Sequence, residues 1–128
     1  RLACTLPALW TGILYDAKAL AAADALTADW TFDEVTATRK EVWQKALGAR
    51  FRAGTLQPFA EKLIEIAEGG LERRGFLSPS GKDERAHLTR MKELVAKGEC
   101  PADRLLDGLD EVADPVTEII ARCDLGAG

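Results

Sequence analysis

Histidine occurs once in this sequence, at His87, methionine once, at Met91, and cysteine three times, at Cys4, Cys100 and Cys123. The cysteines are widely spaced, with no CxxC and no Cys/His pair at zinc spacing. A metal site and a disulfide framework are therefore both set aside in favour of three reduced thiols. No apolar run approaches the ~18 residues that a membrane span needs. No basic stretch leads into an apolar one at the N-terminus, as it does in a signal peptide, and the first residue is not methionine. These absences lead us to expect a processed chain or a fragment, located in the cytoplasm. Basic residues number 17 against 21 acidic ones, a net charge of −4, and they are scattered. Neither nucleic acid nor membrane is expected as a partner.

What the chain does have is apolar sequence, 47% of its 128 residues. That is enough for one folded domain spanning 1–128, with a core of its own. Apolar residues recur at three and four rather than two, so the expected class is all-α: an orthogonal bundle of about six or seven helices with short loops. The first helix has Pro7 in its first turn and carries Leu9, Trp10, Ile13 and Leu14 to about Tyr15. Asp16 reads as a cap or turn before an alanine-rich helix over 17–28. Thr31 and Glu34 form a capping-box pattern flanked by Trp30 and Val35, opening a helix whose expected buried stripe is Phe32, Val35, Val42, Ala46 and Leu47, with Gly48 as its stop.

The strongest amphipathic pattern follows: Leu56, Phe59, Ala60, Leu63, Ile64, Ala67 and Leu71 share one face, with Leu63 expected at its centre and Gly75 closing the helix. A turn-rich connector over 76–84 leads to a helix from about Lys82 to Lys97, with Leu88, Met91, Leu94 and Val95 inward and Gly98 as its stop. Pro101 opens a further helix with Leu105, Leu106, Leu109 and Val112 inward. Asp114-Pro115 caps the last one, which carries Val116, Ile119 and Ile120, and Gly126 and Gly128 suggest a frayed end. No strand is expected.

No residue set forms a self-sufficient active site, and the expected catalytic and metal-ligating residues are none. Glu61, Glu65, Glu68 and Glu72 repeat along one helix and could hold Mg²⁺, but a solvated helix face is the plainer reading. His87 has no nucleophile or acid placed with it, and Cys100 before Pro101 reads as a capping position. Lys45, Arg50 and Arg52 surround "GARFRAG", which lacks phosphate-loop spacing and reads as an exposed or inter-domain loop. Trp10, Tyr15, Trp30 and Trp43 read as packing or interface residues rather than a ligand wall.

Several short segments nevertheless occur in a telling order: "RLACTLPALWTGILYD", "LTADWT", "FRAGT", "GLERRG" and, more weakly, "CPADRLLD" and "ADPV". The set resembles the C-terminal region of glutamate–cysteine ligases of the plant and proteobacterial type. The resemblance implies an ATP- and Mg²⁺-dependent ligation of the glutamate γ-carboxylate to the cysteine amine, the first step of glutathione synthesis. It also implies that the sheet cradling ATP and glutamate lies earlier in a larger protein, so that this chain carries no cofactor itself. Its partner would be the missing N-terminal catalytic region, which it would buttress. Arg1 and the turn through Trp10 would then come nearest the substrate. The chain departs from the family over 43-WQKALGAR-50, where prolines and lysines are expected. The competing expectation is a free-standing helical interaction module without catalysis.

Overall fold

The computed structural model describes residues 2–123, so Arg1, Gly126 and Gly128 lie outside the described residues. After a 3₁₀ turn at Leu2–Cys4, seven α-helices follow among the described residues: α1 Thr5–Leu14, α2 Ala17–Thr27, α3 Phe32–Lys45, α4 Gln57–Arg74, α5 Thr89–Lys97, α6 Pro101–Leu106 and α7 Pro115–Cys123. The fold is mostly α, as the periodicity predicts. One element was not legible: β1 (Arg50–Phe51) and β2 (Gly54–Thr55) pair antiparallel in a small hairpin before α4. Strands of two residues leave no period-2 pattern to read.

Local chemistry sets most helix ends. The Asp16 carboxylate accepts from the Ala19 N–H at 2.7 Å and starts α2. At α3, the Thr31 hydroxyl accepts from the Glu34 N–H at 3.3 Å while the Glu34 carboxylate accepts from the Thr31 N–H at 2.9 Å. Gly75 and Gly98 close α4 and α5 in the left-handed region, at φ 63° and 69°. The Asp114 carboxylate caps α7 through the N–H and hydroxyl of Thr117. Gly48 is not the stop of α3: the helix ends at Lys45, Ala46 turns to φ 45°, and a 3₁₀ turn spans Ala46–Gly48. The helix expected from about Lys82 begins instead as a 3₁₀ turn, Glu84–His87.

The core is the crossing of α1 on α4, closed by α5: Ala8, Leu9 and Ile13 meet Ile64, Ala67 and Leu71, with Leu88 and Val95 above them. Small residues let the two backbones touch. A Cβ placed on Gly12 would lie 2.3 Å from the Ala67 carbonyl oxygen, and one on Gly70 would lie 1.8 Å from that of Gly12. Thr5, buried among these residues, satisfies its hydroxyl by donating to the His87 carbonyl at 3.0 Å.

Three expectations about burial are corrected. Leu63 is half-buried at the core's edge; the centre of the α4 face is Ile64, Ala67 and Leu71, because the helix is turned so that Gly70 meets α1. None of α3 is fully buried: Phe32 and Val35 are exposed and Val42 is half-buried, as are Ala46 and Leu47 in the 3₁₀ turn after it, because no other helix among the described residues is laid along that stripe. Towards the C-terminus Leu109 is buried, but Leu106, Val116 and Ile120 are exposed.

Candidate functional site

The segments that carry the family resemblance come together in pairs. "LPALWTGILYD" and "GLERRG" form one clasp. Gly12 lies against Gly70, Arg73 donates to both oxygens of Asp16 at 3.0 and 2.6 Å, and the Arg74 guanidinium sits 5.5 Å from the centres of both the Tyr15 and Phe76 rings. "LTADWT" and "FRAGT" form the other. Trp30 packs on Phe51 and on Phe59 with ring centres 4.6 Å apart, and Arg52 binds the Asp29 carboxylate and carbonyl together with the Glu34 carboxylate. Arg52 does this from a backbone φ of 52° at the hairpin turn, a conformation usually left to glycine. Its side-chain bonds hold the loop to the start of α3.

Both clasps leave an electrostatic signature. Hydrogen bonds from the Arg73 guanidinium, then from the Ala19 N–H, lower the Asp16 carboxyl to about 2. Hydrogen bonds from Arg52, then from the Thr31 backbone and hydroxyl, lower Glu34 to about 2. A carboxyl depressed on folding contributes stability that is complete above its unfolded pKa, here 3.8 and 4.5, and that is lost as pH falls through about 2. Thermal melts should therefore show a midpoint that drops between pH 5 and pH 2. The double variant Asp16→Asn/Glu34→Gln should show a shallower drop from a lower starting value. An equal slope in both proteins would mean that the clasps carry no charge-dependent stability.

The other candidates are already engaged. Glu65 pairs with Lys62, Glu68 with Lys92 and Glu72 with Arg85, while Glu61 accepts from Gln57. Each is bound to a neighbouring base or amide rather than converging on a point, and among the described residues no cluster of three His, Cys, Asp or Glu could hold a metal ion. Lys45 pairs with Glu41, which also accepts from the Arg50 N–H at 2.9 Å. Arg52 is committed to Asp29 and Glu34, so the loop basics do not present a triphosphate cradle. ATP with Mg²⁺ does not fit the donors described here. Cys100 does stand before α6, where the Asp103 carboxylate accepts from its N–H at 2.6 Å. His87 is exposed and contributes its carbonyl to Thr5.

Two exposed apolar helix faces adjoin the clasps among the described residues. One is the outer side of α1, where Leu6, Trp10 and Leu14 are 58%, 52% and 55% exposed while Leu9 and Ile13 are sealed against α4. Beside the first turns of this helix is a cleft of about 240 Å³ with Cys4, Thr11, Ser78, Lys82, Glu84 and His87 on its walls. The other is the stripe of α3, which borders an apolar groove of about 270 Å³ between Trp30, Val35, Val42, Phe51, Leu56 and Phe59. The four aromatic candidates are dispersed: Trp30 joins the second clasp, Tyr15 and Trp43 are exposed under Arg74 and Arg39, and Trp10 stands on the α1 face. Sequence reasoning missed the clasp partners. Each motif contained one half, and the halves are 57 residues apart for Asp16 and Arg73 and 23 for Asp29 and Arg52.

Comparison with known proteins finds relatives across most of the chain. Residues 2–121 match the model of the glutamate-cysteine ligase family 2 (GCS2). A chloroplastic glutamate–cysteine ligase of Medicago truncatula is 43% identical over 107 residues, covering 84% of this chain and 20% of the relative. That of Arabidopsis thaliana is 39% identical over 122 residues, covering 92% of this chain and 22% of the relative. Glutamate–cysteine ligase A of Oryza sativa subsp. indica is 36% identical over 107 residues. The chain thus spans about one fifth of the length of the curated relatives it matches. Their names also overturn the cytoplasmic location expected above: the relatives are named as chloroplastic enzymes. Organelle addresses are read from targeting segments rather than from a folded body, so the composition of these helices could not report one. No helix among the described residues is long and apolar enough to cross a membrane. By the extent of the family match and the identity to the plant enzymes, this chain belongs to glutamate-cysteine ligase family 2.

Proposed function

We propose that residues 1–128 are one helical domain, the C-terminal part of a glutamate–cysteine ligase, and that this domain buttresses a catalytic sheet supplied by the rest of the enzyme. The parent enzyme joins the glutamate γ-carboxylate to the cysteine amine at the expense of ATP, with Mg²⁺, in glutathione synthesis. This chain does not carry out that ligation itself. It contributes a rigid wall, and Arg1 and Trp10 are the residues it brings nearest the substrate.

The observation that carries the reading is the division of α1. Its inner residues, Leu9 and Ile13, are buried by α4, while Leu6, Trp10 and Leu14 repeat every four residues on the outside and stay more than half exposed among the described residues. An apolar stripe of this size on a single helix face marks an interface. About four fifths of the relatives' length is available to cover it. A tryptophan at the middle of such a stripe is the residue type that anchors interfaces.

The test is a titration of this chain against the remainder of a plant ligase expressed without its matched segment. Saturable binding is expected, weakened at least ~10-fold by Trp10→Asp. Absence of binding, or binding unchanged by both Trp10→Asp and Leu14→Asp, would overturn the proposal.

A further inference from the structure

We propose that the apolar groove between α3 and the start of α4 is a binding site for a small aromatic carboxylate, a ligand of one or two fused rings that bears a single acid group. The inference stands apart from the role of α1, none of whose residues lines this groove.

The groove holds about 270 Å³, below the usual range for drug-sized ligands, so its occupant is small. One wall belongs to α3. At about 100° per residue, Val35, Thr38, Arg39 and Val42 fall within about 100° of one another on the helix surface, over about 10 Å of its axis. That length suits fused rings and not a long acyl chain. The facing wall is aromatic. Trp30 lies against Phe51 and Phe59, with both pairs of ring centres 4.6 Å apart and the rings tilted by 56° and 49°. Rings wedged in this way offer a fixed surface, which lowers the ordering cost of binding. Val35 stays 42% exposed, so the two walls do not close on each other. A flat ring slid between them covers apolar surface that the described residues leave open.

The polar groups on the walls select the acid. Three side chains there carry donors: the Trp30 indole N–H, the Thr38 hydroxyl and the Arg39 guanidinium. None of the three makes a side-chain hydrogen bond or an ion pair among the described residues. No carboxylate stands on the walls, and the nearby acids are paired with other bases, Asp29 and Glu34 with Arg52 and Glu41 with Lys45. Arg39 is exposed at the rim and lies over the Trp43 ring, 5.7 Å from its centre, a contact that takes none of its N–H donors. An apolar slot bordered by one uncompensated positive charge and no acid is complementary to an apolar body with one carboxylate. A guanidinium receives a carboxylate through two parallel N–H···O bonds, and the rings fill the slot behind it. A neutral ring gains only the apolar part of this contact, and a cationic one is repelled at the rim.

The test is a titration of the isotope-labelled 128-residue chain with β-naphthoate in low-salt buffer, followed through the indole N–H signals in two-dimensional NMR. The three tryptophans give separate signals. That of Trp30 should shift saturably, with a dissociation constant below ~1 mM, and that of Trp10 on α1 should stay in place. β-Naphthylmethanol, the same rings without the charge, should bind about 10-fold more weakly. Arg39→Met should weaken naphthoate about 10-fold and leave the alcohol unchanged, and Arg39→Lys should recover part of the loss. Arg39 is exposed, so circular dichroism should be the same for every variant. No saturable shift at Trp30, or naphthoate binding indifferent to Arg39→Met, would overturn the proposal. Equal affinity for acid and alcohol would overturn it too, and would make the groove a seat for an apolar side chain of the rest of the ligase.

Discussion

Gly70→Ala should lower the unfolding free energy of this chain by about 3 kcal/mol or more, the upper end of what one added methyl group does in a packed core. The added Cβ would lie 1.8 Å from the Gly12 carbonyl oxygen, 2.8 Å from its carbon and 3.1 Å from the Ala19 Cβ. The first two atoms are backbone of α1, so the clash is relieved only by moving α1 off α4. That movement opens the contacts of Leu9 and Ile13 with Ile64, Ala67 and Leu71, and it pulls Asp16 from Arg73. Gly69→Ala is the control on the same turn of the same helix. There the nearest atom to a new Cβ is a nitrogen of the Arg73 guanidinium at 3.2 Å, the far end of a flexible side chain. Alanine is also favoured over glycine inside a helix by up to ~1 kcal/mol. Urea denaturation of the two variants should therefore give a large loss at Gly70 and little change or a gain at Gly69. Equal losses would mean that the α1–α4 approach is looser than described.

The sequence was most legible where the determinant is local. The Thr31–Glu34 box, the Asp16 and Asp114 caps and the stops at Gly75 and Gly98 each depend on a few consecutive residues, and each is found. What failed depends on whether a partner exists. The spacing of Phe32, Val35 and Val42 marks an apolar stripe correctly but cannot say that, among the described residues, Phe32 and Val35 stay exposed and Val42 is only half covered. Leu63 and Ile64 satisfy the same helical pattern equally well, and only the approach of Gly12 to Gly70 decides that Ile64 points inward. Gly70 itself reads as a weak spot in a helix until its neighbour is known.

The family-like segments show the same division. They were sufficient to place the chain in its family, and the resemblance brought only Arg1 and the turn through Trp10 near the substrate. The structure gives them a mechanical role: Asp16 with Arg73, and Asp29 and Glu34 with Arg52, fasten segments that are distant in sequence. An arginine held by two carboxylates is a poor phosphate ligand until those bonds are broken, so the geometry argues for clasps rather than catalysis at these positions.

An all-or-none outcome follows for chemistry. The carboxylates of α4 are paired with Lys62, Lys92 and Arg85, and the described residues hold no cluster fit for a metal ion. On the proposed function, the active-site sheet lies in the portion of the ligase outside this chain. The most direct measurement is γ-glutamylcysteine formation by the purified 128-residue chain supplied with ATP, Mg²⁺, glutamate and cysteine, with a full-length plant ligase as reference. The account predicts no product above the enzyme-free background. Steady turnover by this chain alone would contradict it, because the reaction would then need no wall but this one.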